Sequence, residues 1–257
     1  EGDAYHNRRM SMVKVLGEYI LSLGQEAYIP NFFCKAYRPV LYIPSKEEVK
    51  ELLQKMDIRT SHNSEQFRLD RECKILFLLY FCCGLRLSEG RLLKWEHIDL
   101  DKGILTVLGS KGNKDRLVYL PQDSLPILKN YKESQEMLFP GIDWAFPGKD
   151  PHKPVSCSGV ESSFNRHWAM LPVAKTIDKH PTPHCLRHAF VVERFNEWMH
   201  QGIDTNTMLP YLSRYLGHKS PDETYYYYHL VEKAFDTIRE KDSVSGKVIP
   251  EVIPYEE

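Results

Sequence analysis

His184-Cys185-Leu186-Arg187-His188, then Leu216-Gly217-His218, then the run Tyr225-Tyr226-Tyr227-Tyr228 form the part of this 257-residue chain that constrains fold and chemistry most. Pro183 stands where the first turn of a helix should begin, so His184 and Arg187, at i and i+3, share one helix face. Gly217 reads as a helix stop that sets His218 in a tight turn, and Tyr227 follows nine residues later. These side chains suit work on a phosphodiester. An arginine fork holds phosphate oxygens at two points and stays protonated at any working pH. A helix N-terminus favours a bound phosphate, and a tyrosine oxygen can attack phosphorus to give a covalent intermediate. An ordinary phenol ionises near pH ~10, so a nucleophilic tyrosine needs cationic neighbours. Each element also has a plain reading: surface groups on a helix, or an aromatic packing face. His184 and His188 have the i, i+4 spacing of a zinc site. The metalloprotease pattern needs Glu directly after the first His, however, and Cys185 stands there, so no metal is expected.

Upstream, Gly84-Leu85-Arg86-Leu87-Ser88-Glu89 puts an arginine and a carboxylate at i and i+3 just after a helix stop. Arg86 could then point out of the fold while Glu89 steadies it, although such a pair alone can be a surface ion pair worth less than ~1 kcal/mol. Ile104–Leu108 and Arg116–Leu120 read as two strands around the turn Gly109-Ser110-Lys111-Gly112-Asn113-Lys114-Asp115, which is a hairpin. A lysine at its tip can protonate a leaving alkoxide, or simply keep the turn solvated.

The remaining chain is mostly helical. Apolar spacing predicts a helix over Arg9–Leu23, stopped by Gly24, and Ser45-Lys46-Glu47-Glu48 is a capping box opening a helix to about Met56. A helix over about Gln66–Cys83 is apolar on more than one face and therefore central. Further helices are expected over Glu89–Trp95 with Ser88 as its cap, from Pro121 to about Lys132, and over Ser158–Met170, Pro183–Met199, Thr207–Leu216, Pro221–Tyr228 and Val231–Lys241. Ile29–Pro44, with three prolines, reads as a linker, and Phe139–Val155 as a loop. The fold class is α+β: a mainly α-helical catalytic domain with a small antiparallel β-hairpin or sheet, preceded by a partial helical domain.

A charged fraction of 27% beside 42% hydrophobic residues describes an ordinary globular chain. The longest apolar run, Ile75–Cys83, is too short to span a bilayer, so no membrane is expected. Six scattered cysteines without a C-x-x-C pair point to reduced thiols and a cytoplasmic setting. The net charge of -1 argues against bulk attraction to nucleic acid but leaves room for a local basic surface.

Taken together and in order, these motifs resemble the tyrosine recombinase, or phage integrase, family. The matching segments are Gly84-Leu85-Arg86-Leu87-Ser88-Glu89, Ser110-Lys111-Gly112-Asn113-Lys114-Asp115-Arg116, His184-Cys185-Leu186-Arg187-His188, Leu216-Gly217-His218 and Tyr227. They span about Ser45 to Leu230. The resemblance implies that Arg86 and Arg187 clamp the scissile phosphate and that Lys111 is the acid for the 5′-hydroxyl leaving group. It further implies that His184 and His218 hydrogen-bond the phosphate and assist proton transfer, that Glu89 orders the arginines and that Tyr227 is the nucleophile. Arg86, Lys111, Lys114 and Arg187 would touch DNA. No cofactor is implied: the 3′-phosphotyrosyl bond stores the phosphodiester energy, so neither ATP nor a metal is needed.

The implied partners are double-stranded DNA, further copies of the chain in a tetramer on DNA, and accessory DNA-bending proteins, in the setting of a phage or mobile element. The implied domains are a remnant of an N-terminal DNA-clamping domain (1–28), a linker (29–44), the catalytic domain (45–241), and a tail (242–257) with Val248, Ile249, Val252 and Ile253 that docks on a neighbouring protomer. This chain departs from the family pattern in three places. Gly90 and Arg91 replace apolar residues, Ser110 adds a residue ahead of Lys111 and makes Lys114 a second candidate acid, and the Arg187–His218 interval is longer by roughly one or two helical turns around Asn196–Asn206. Two other functions use the same features: DNA relaxation by a type IB topoisomerase, and a non-catalytic DNA-binding module.

Overall fold

The computed structural model describes residues 3–31, 33–34, 41–58, 62–110, 114–177, 180–218 and 220–227, except for the side chains of Ala4, Ser110 and Lys114. The chain divides into two compact units, Glu1–Leu41 and Tyr42–Glu257. The first unit holds helix α1 (Asp3–Ser22), which begins six residues before the predicted Arg9. The Asn7 side chain anchors the following segment, donating to the Cys34 carbonyl at 2.7 Å and accepting from the Cys34 N–H at 2.8 Å. Met12, Val15, Leu16 and Tyr19, the apolar stripe that predicts this helix, lie exposed.

The second unit is built around α3 (Ser64–Cys83), which Asn63 caps by accepting from the N–H groups of Glu65 and Gln66. It packs against α2 (Lys46–Lys55), α4 (Leu87–Arg91), α6 (Cys157–Trp168) and α7 (Cys185–His200). Its lack of a single apolar face is thereby explained. Leu69, Cys73, Leu76, Phe77, Leu79 and Tyr80 are all buried, and Phe77 meets Phe164 edge-on at 5.6 Å. The capping box at the start of α2 is present, with Ser45 Oγ accepting from the Glu48 N–H and Glu48 accepting from the Ser45 N–H.

A three-stranded antiparallel sheet follows, β1 (Ile98–Asp99), β2 (Ile104–Ser110) and β3 (Lys114–Tyr119) in that order. The two-residue β1 is too short to leave a sequence pattern. Val107 pairs with Arg116 and Leu105 with Val118, and an irregularity falls between Val107 and Ser110. Alternation along β3 is clear: Leu117 and Tyr119 face solvent while Val118 is buried. Arg116 shares the inward face with Val118.

Helix α4 is shorter than expected. Arg86, not Ser88, occupies its N-cap, and the helix ends at Arg91 rather than Trp95. Beyond Arg91 the backbone turns to pair elsewhere: Ala145 N–H donates to Leu93 O and Trp95 N–H to Asp143 O, both at 2.9 Å. The segment 139–155 is thus tied down by backbone bonds. Gly90 is required by packing, since a Cβ there would lie 2.5 Å from Tyr80 Cε1 and 2.8 Å from Leu76 Cδ1. Arg91 donates to the Val155 carbonyl at 3.3 Å.

After α5 (Leu125–Leu138) and α6, α7 begins at Cys185, two residues later than Pro183. The extended Arg187–His218 interval is taken up by the last turns of α7, a turn at 201–204 and α8 (Thr205–Leu216), capped by Asp204. Helix α9 spans only Asp222–Tyr225, with a tighter turn through 226–227. Tyr228, the expected helix Val231–Lys241 and the tail lie outside the described residues. All six cysteines are free thiols, and no described helix is long and apolar enough to cross a membrane.

Buried Asp70 fastens α3 to α6. Its Oδ1 accepts from Ser163 Oγ at 2.7 Å, Arg166 Nη2 at 2.9 Å and Gln66 Nε2 at 3.3 Å. Removing one partner of a buried, hydrogen-bonded charge pair costs about 3–5 kcal/mol. Asp70→Ala should lower the unfolding free energy in urea by about 3 kcal/mol; a loss below about 1 kcal/mol would show that the network contributes little.

Candidate active site

Glu89 is the hub of the site. Its position at the third residue of α4 lets its Oε2 accept from the Arg86 backbone N–H at 2.8 Å, which closes the helix N-terminus. The same carboxylate holds two guanidiniums. Arg86 Nη1 donates to Oε1 at 2.8 Å, while Arg116 grips both oxygens, Nη1 to Oε1 at 2.9 Å and Nη2 to Oε2 at 2.7 Å. A third guanidinium, that of Arg187, lies 3.9 Å from Oε2. Burial pushes the Glu89 carboxyl up, but hydrogen bonds from Arg116 and Arg86 outweigh it and hold the group at about 2.

Backbone carbonyls at helix ends aim the arginines. Arg187, on the first turn of α7, donates to Gly84 O at 2.5 Å and Leu216 O at 2.8 Å. Arg86 donates to Gly217 O at 2.7 Å and Arg116 Nε to Tyr215 O at 2.8 Å. The C-termini of α3 and α8 therefore turn their negative ends toward the cluster. Gly217 can do this because it adopts φ +66°, and a Cβ there would lie 3.2 Å from Arg116 Nη1. Arg187 is only 1% exposed. Burial and then Arg86 push it down to about 10, so it stays charged at neutral pH. Three guanidiniums around one carboxylate leave the cluster at +2 (3 − 1).

The histidines are held neutral. His218 Nε2 lies 3.1 Å from Arg187 Nη2, which can only donate, so Nε2 accepts and Nδ1–H donates to Thr224 Oγ1 at 2.6 Å. Burial, then Arg187, depresses His218 to about 3. His184 keeps solvent access on one side, yet the protein packed around its ring, then Arg187 and Arg86, push it down to about 4. His188 meets His184 edge-on at 4.7 Å and is lowered to about 3 by burial, then His184 and Arg187.

Tyr227 is buried among Phe190, Val191, Phe195, Leu209, Leu212 and Leu216. Its Oη lies 2.6 Å from His188 Nδ1. Burial raises the phenol to about 12, against the opposing pull of Arg187 and Arg86.

Of the expected site residues, Arg86, Glu89, Arg187 and His218 form one bonded cluster, with His184 and Tyr227 within its electrostatic reach. Lys111 lies outside the described residues; Lys114 opens β3, paired with Ser110. The structure adds Arg116, His188 and Thr224 to the site. A signal existed for Arg116: strand alternation puts it on the same face as Val118, and a buried arginine demands a carboxylate.

Residues 45–234 match the model of the phage integrase family. The chain belongs to that family, whose enzymes are DNA strand-transferases. This integrase-family chain is 28% identical over 239 residues to an integrase/recombinase of Sinorhizobium fredii, covering 85% of this chain and 72% of that protein. It is 30% identical over 191 residues to the tyrosine recombinase XerA of Pyrococcus furiosus, covering 74% of this chain and 57% of that protein. The crystal structure of the XerH site-specific recombinase bound to its difH substrate before cleavage shares the fold. Its TM-score is 0.64 at 20% identity, over 94% of this chain and 66% of that one.

The depressed histidines make the fold acid-sensitive. Each carries a folded pKa below the ordinary 6.5, so the unfolded chain binds the more protons as pH falls. Stability is full above about pH 6.5 and declines toward pH 3. Glu89 adds to the decline below its ordinary 4.5, and its contribution is gone once the pH has fallen through about 2. Between pH 7 and pH 5 the urea unfolding free energy should drop by at least about 2 kcal/mol, with exposed His184 contributing least. An unchanged or rising midpoint would contradict the neutral assignments.

Proposed function

We propose that this chain is a site-specific DNA recombinase that cuts and rejoins strands through a 3′-phosphotyrosyl intermediate. The observation that supports this best is the set of three guanidiniums gathered on one carboxylate beside Tyr227: closely packed positive charge favours an anion with several oxygens. In this reading the scissile phosphate enters beside Arg86 and Arg187, whose guanidiniums hold its non-bridging oxygens and take up the charge that develops on them. His218 and His184, both neutral, add hydrogen bonds. Tyr227 Oη bonds to phosphorus as the bond to O5′ breaks, and Lys111 donates a proton to the leaving O5′, with Lys114 as the alternative donor.

The phosphotyrosyl bond conserves the energy of the broken phosphodiester. The incoming 5′-hydroxyl of a second strand attacks it, restores Tyr227 and completes the exchange, so the reaction as written consumes no ATP and calls on no metal. The substrate is double-stranded DNA, bound by a tetramer of the chain with DNA-bending proteins as helpers, and a phage or mobile element is the natural setting. A product that joins two different DNA sites distinguishes this from relaxation of a single duplex.

A nicked suicide duplex tests the chemistry. Wild type should form a covalent protein–DNA adduct, Tyr227→Phe none, and Tyr226→Phe an adduct close to wild type. Tyr227→Phe retaining its adduct would overturn the assignment of the nucleophile.

A further inference from the structure

We infer that His188 is a catalytic residue, the group that takes the proton from Tyr227 as the tyrosine attacks phosphorus and returns it when the strand is rejoined. The inference deepens the strand-transfer reading and rests on it. It is carried by geometry: Nδ1 of His188 lies 2.6 Å from Tyr227 Oη, both residues are buried, and the rings lie 5.3 Å apart. The phenol oxygen thus meets a ring nitrogen that can accept a proton. His218, one of the two other histidines beside the arginines, is not so placed. Both ring nitrogens of His218 are engaged, Nε2 with Arg187 and Nδ1 with Thr224.

The surroundings keep His188 in its basic form. Its facing charged and titratable neighbours are His184 and Arg187 on α7, and those of Tyr227 include Arg187, Arg86, Tyr226 and Glu223. With His188 lowered to about 3 and Tyr227 raised to about 12, transfer ahead of attack is strongly uphill. The proton therefore moves as the O–P bond forms, because the phenol oxygen becomes far more acidic once it begins to bond to phosphorus. In the step, Tyr227 Oη bonds to phosphorus, its proton passes to His188 Nδ1, and the P–O5′ bond breaks with its electron pair leaving on O5′. The imidazolium then holds the proton until rejoining, when the P–Oη bond breaks and Tyr227 Oη takes it back. Helix α7 thus carries two functions on adjacent residues, a phosphate-binding arginine at 187 and a base at 188.

The test uses a nicked suicide duplex whose scissile bridging O5′ is replaced by sulfur. A thiolate leaves without a proton, which removes the lysine from the rate. Two variants are compared with wild type: His188→Ala, and His188→Asn, whose amide oxygen keeps a hydrogen-bond acceptor near the Nδ1 position but cannot take the proton. Both should form adduct about 10²–10⁴-fold more slowly at pH 7, the range for general-base loss, and sulfur should not rescue them. Their rates should climb with pH toward the ionisation of Tyr227, while the wild-type rate stays level. His188→Asn within threefold of wild type would overturn proton transfer, and a rate gain in His188→Ala would overturn it by showing that the contact restrains the tyrosine. If wild type itself formed no adduct, the strand-transfer reading would fall and this inference with it. An adduct from wild type and from both variants at equal rates would sink only the His188 assignment.

Discussion

One carboxylate organises this site. Glu89 caps its own helix through the Arg86 N–H, binds the Arg86 side chain and takes Arg116 in two-point contact. Those contacts join the α3–α4 corner to strand β3. Arg187 adds α7 at 3.9 Å, and the carbonyls of Tyr215, Leu216 and Gly217 add the end of α8. Without Glu89, three buried or half-buried guanidiniums would repel one another at close range. With it, they stay fixed, three guanidiniums to one carboxylate. That grouping of positive charge is what an anionic substrate would meet.

Donors held by fixed protein dipoles are what electrostatic stabilisation of a developing negative charge calls for. Bonds that the arginines donate to backbone carbonyls fix them at little reorganisation cost, and they join residues as far as 131 positions apart. The same positive field explains the neutral histidines, since burial and the nearby guanidiniums both oppose a further charge. Tyr227 sits between these influences. The arginines favour its ionised form, burial opposes it more strongly, and His188 meets its oxygen.

Much of this was legible in the sequence because local rules carry it. The capping box at Ser45, the stops at Gly84 and Gly217 and the two-faced apolar pattern of α3 each follow from a short window, and the order of the motifs gave the family. What was missed depends on contacts between distant segments. Nothing near Arg91 announces that the chain leaves the helix, because the partners that draw it away, Asp143 and Ala145, come some fifty residues later. Gly90 looked like a departure until Tyr80 and Leu76 were seen to occupy the space of its absent side chain. Arg116 lies inside a motif whose lysines draw attention first, although the alternation of β3 turns it inward. His188 was hidden by its own neighbours: beside His184 it suggested a metal pair, and only the return of the chain through α8 and α9 brings Tyr227 to it.

The central claim is that the Glu89 carboxylate holds the arginine cluster together through Arg116 as well as Arg86. A double-mutant cycle with Glu89→Gln and Arg116→Met, read by urea unfolding at pH 7, tests it most directly. The double variant should be more stable than the sum of the single losses implies by about 2 kcal/mol, within the range for residues that share a bonded network. Strictly additive losses, with a coupling near zero, would contradict the account.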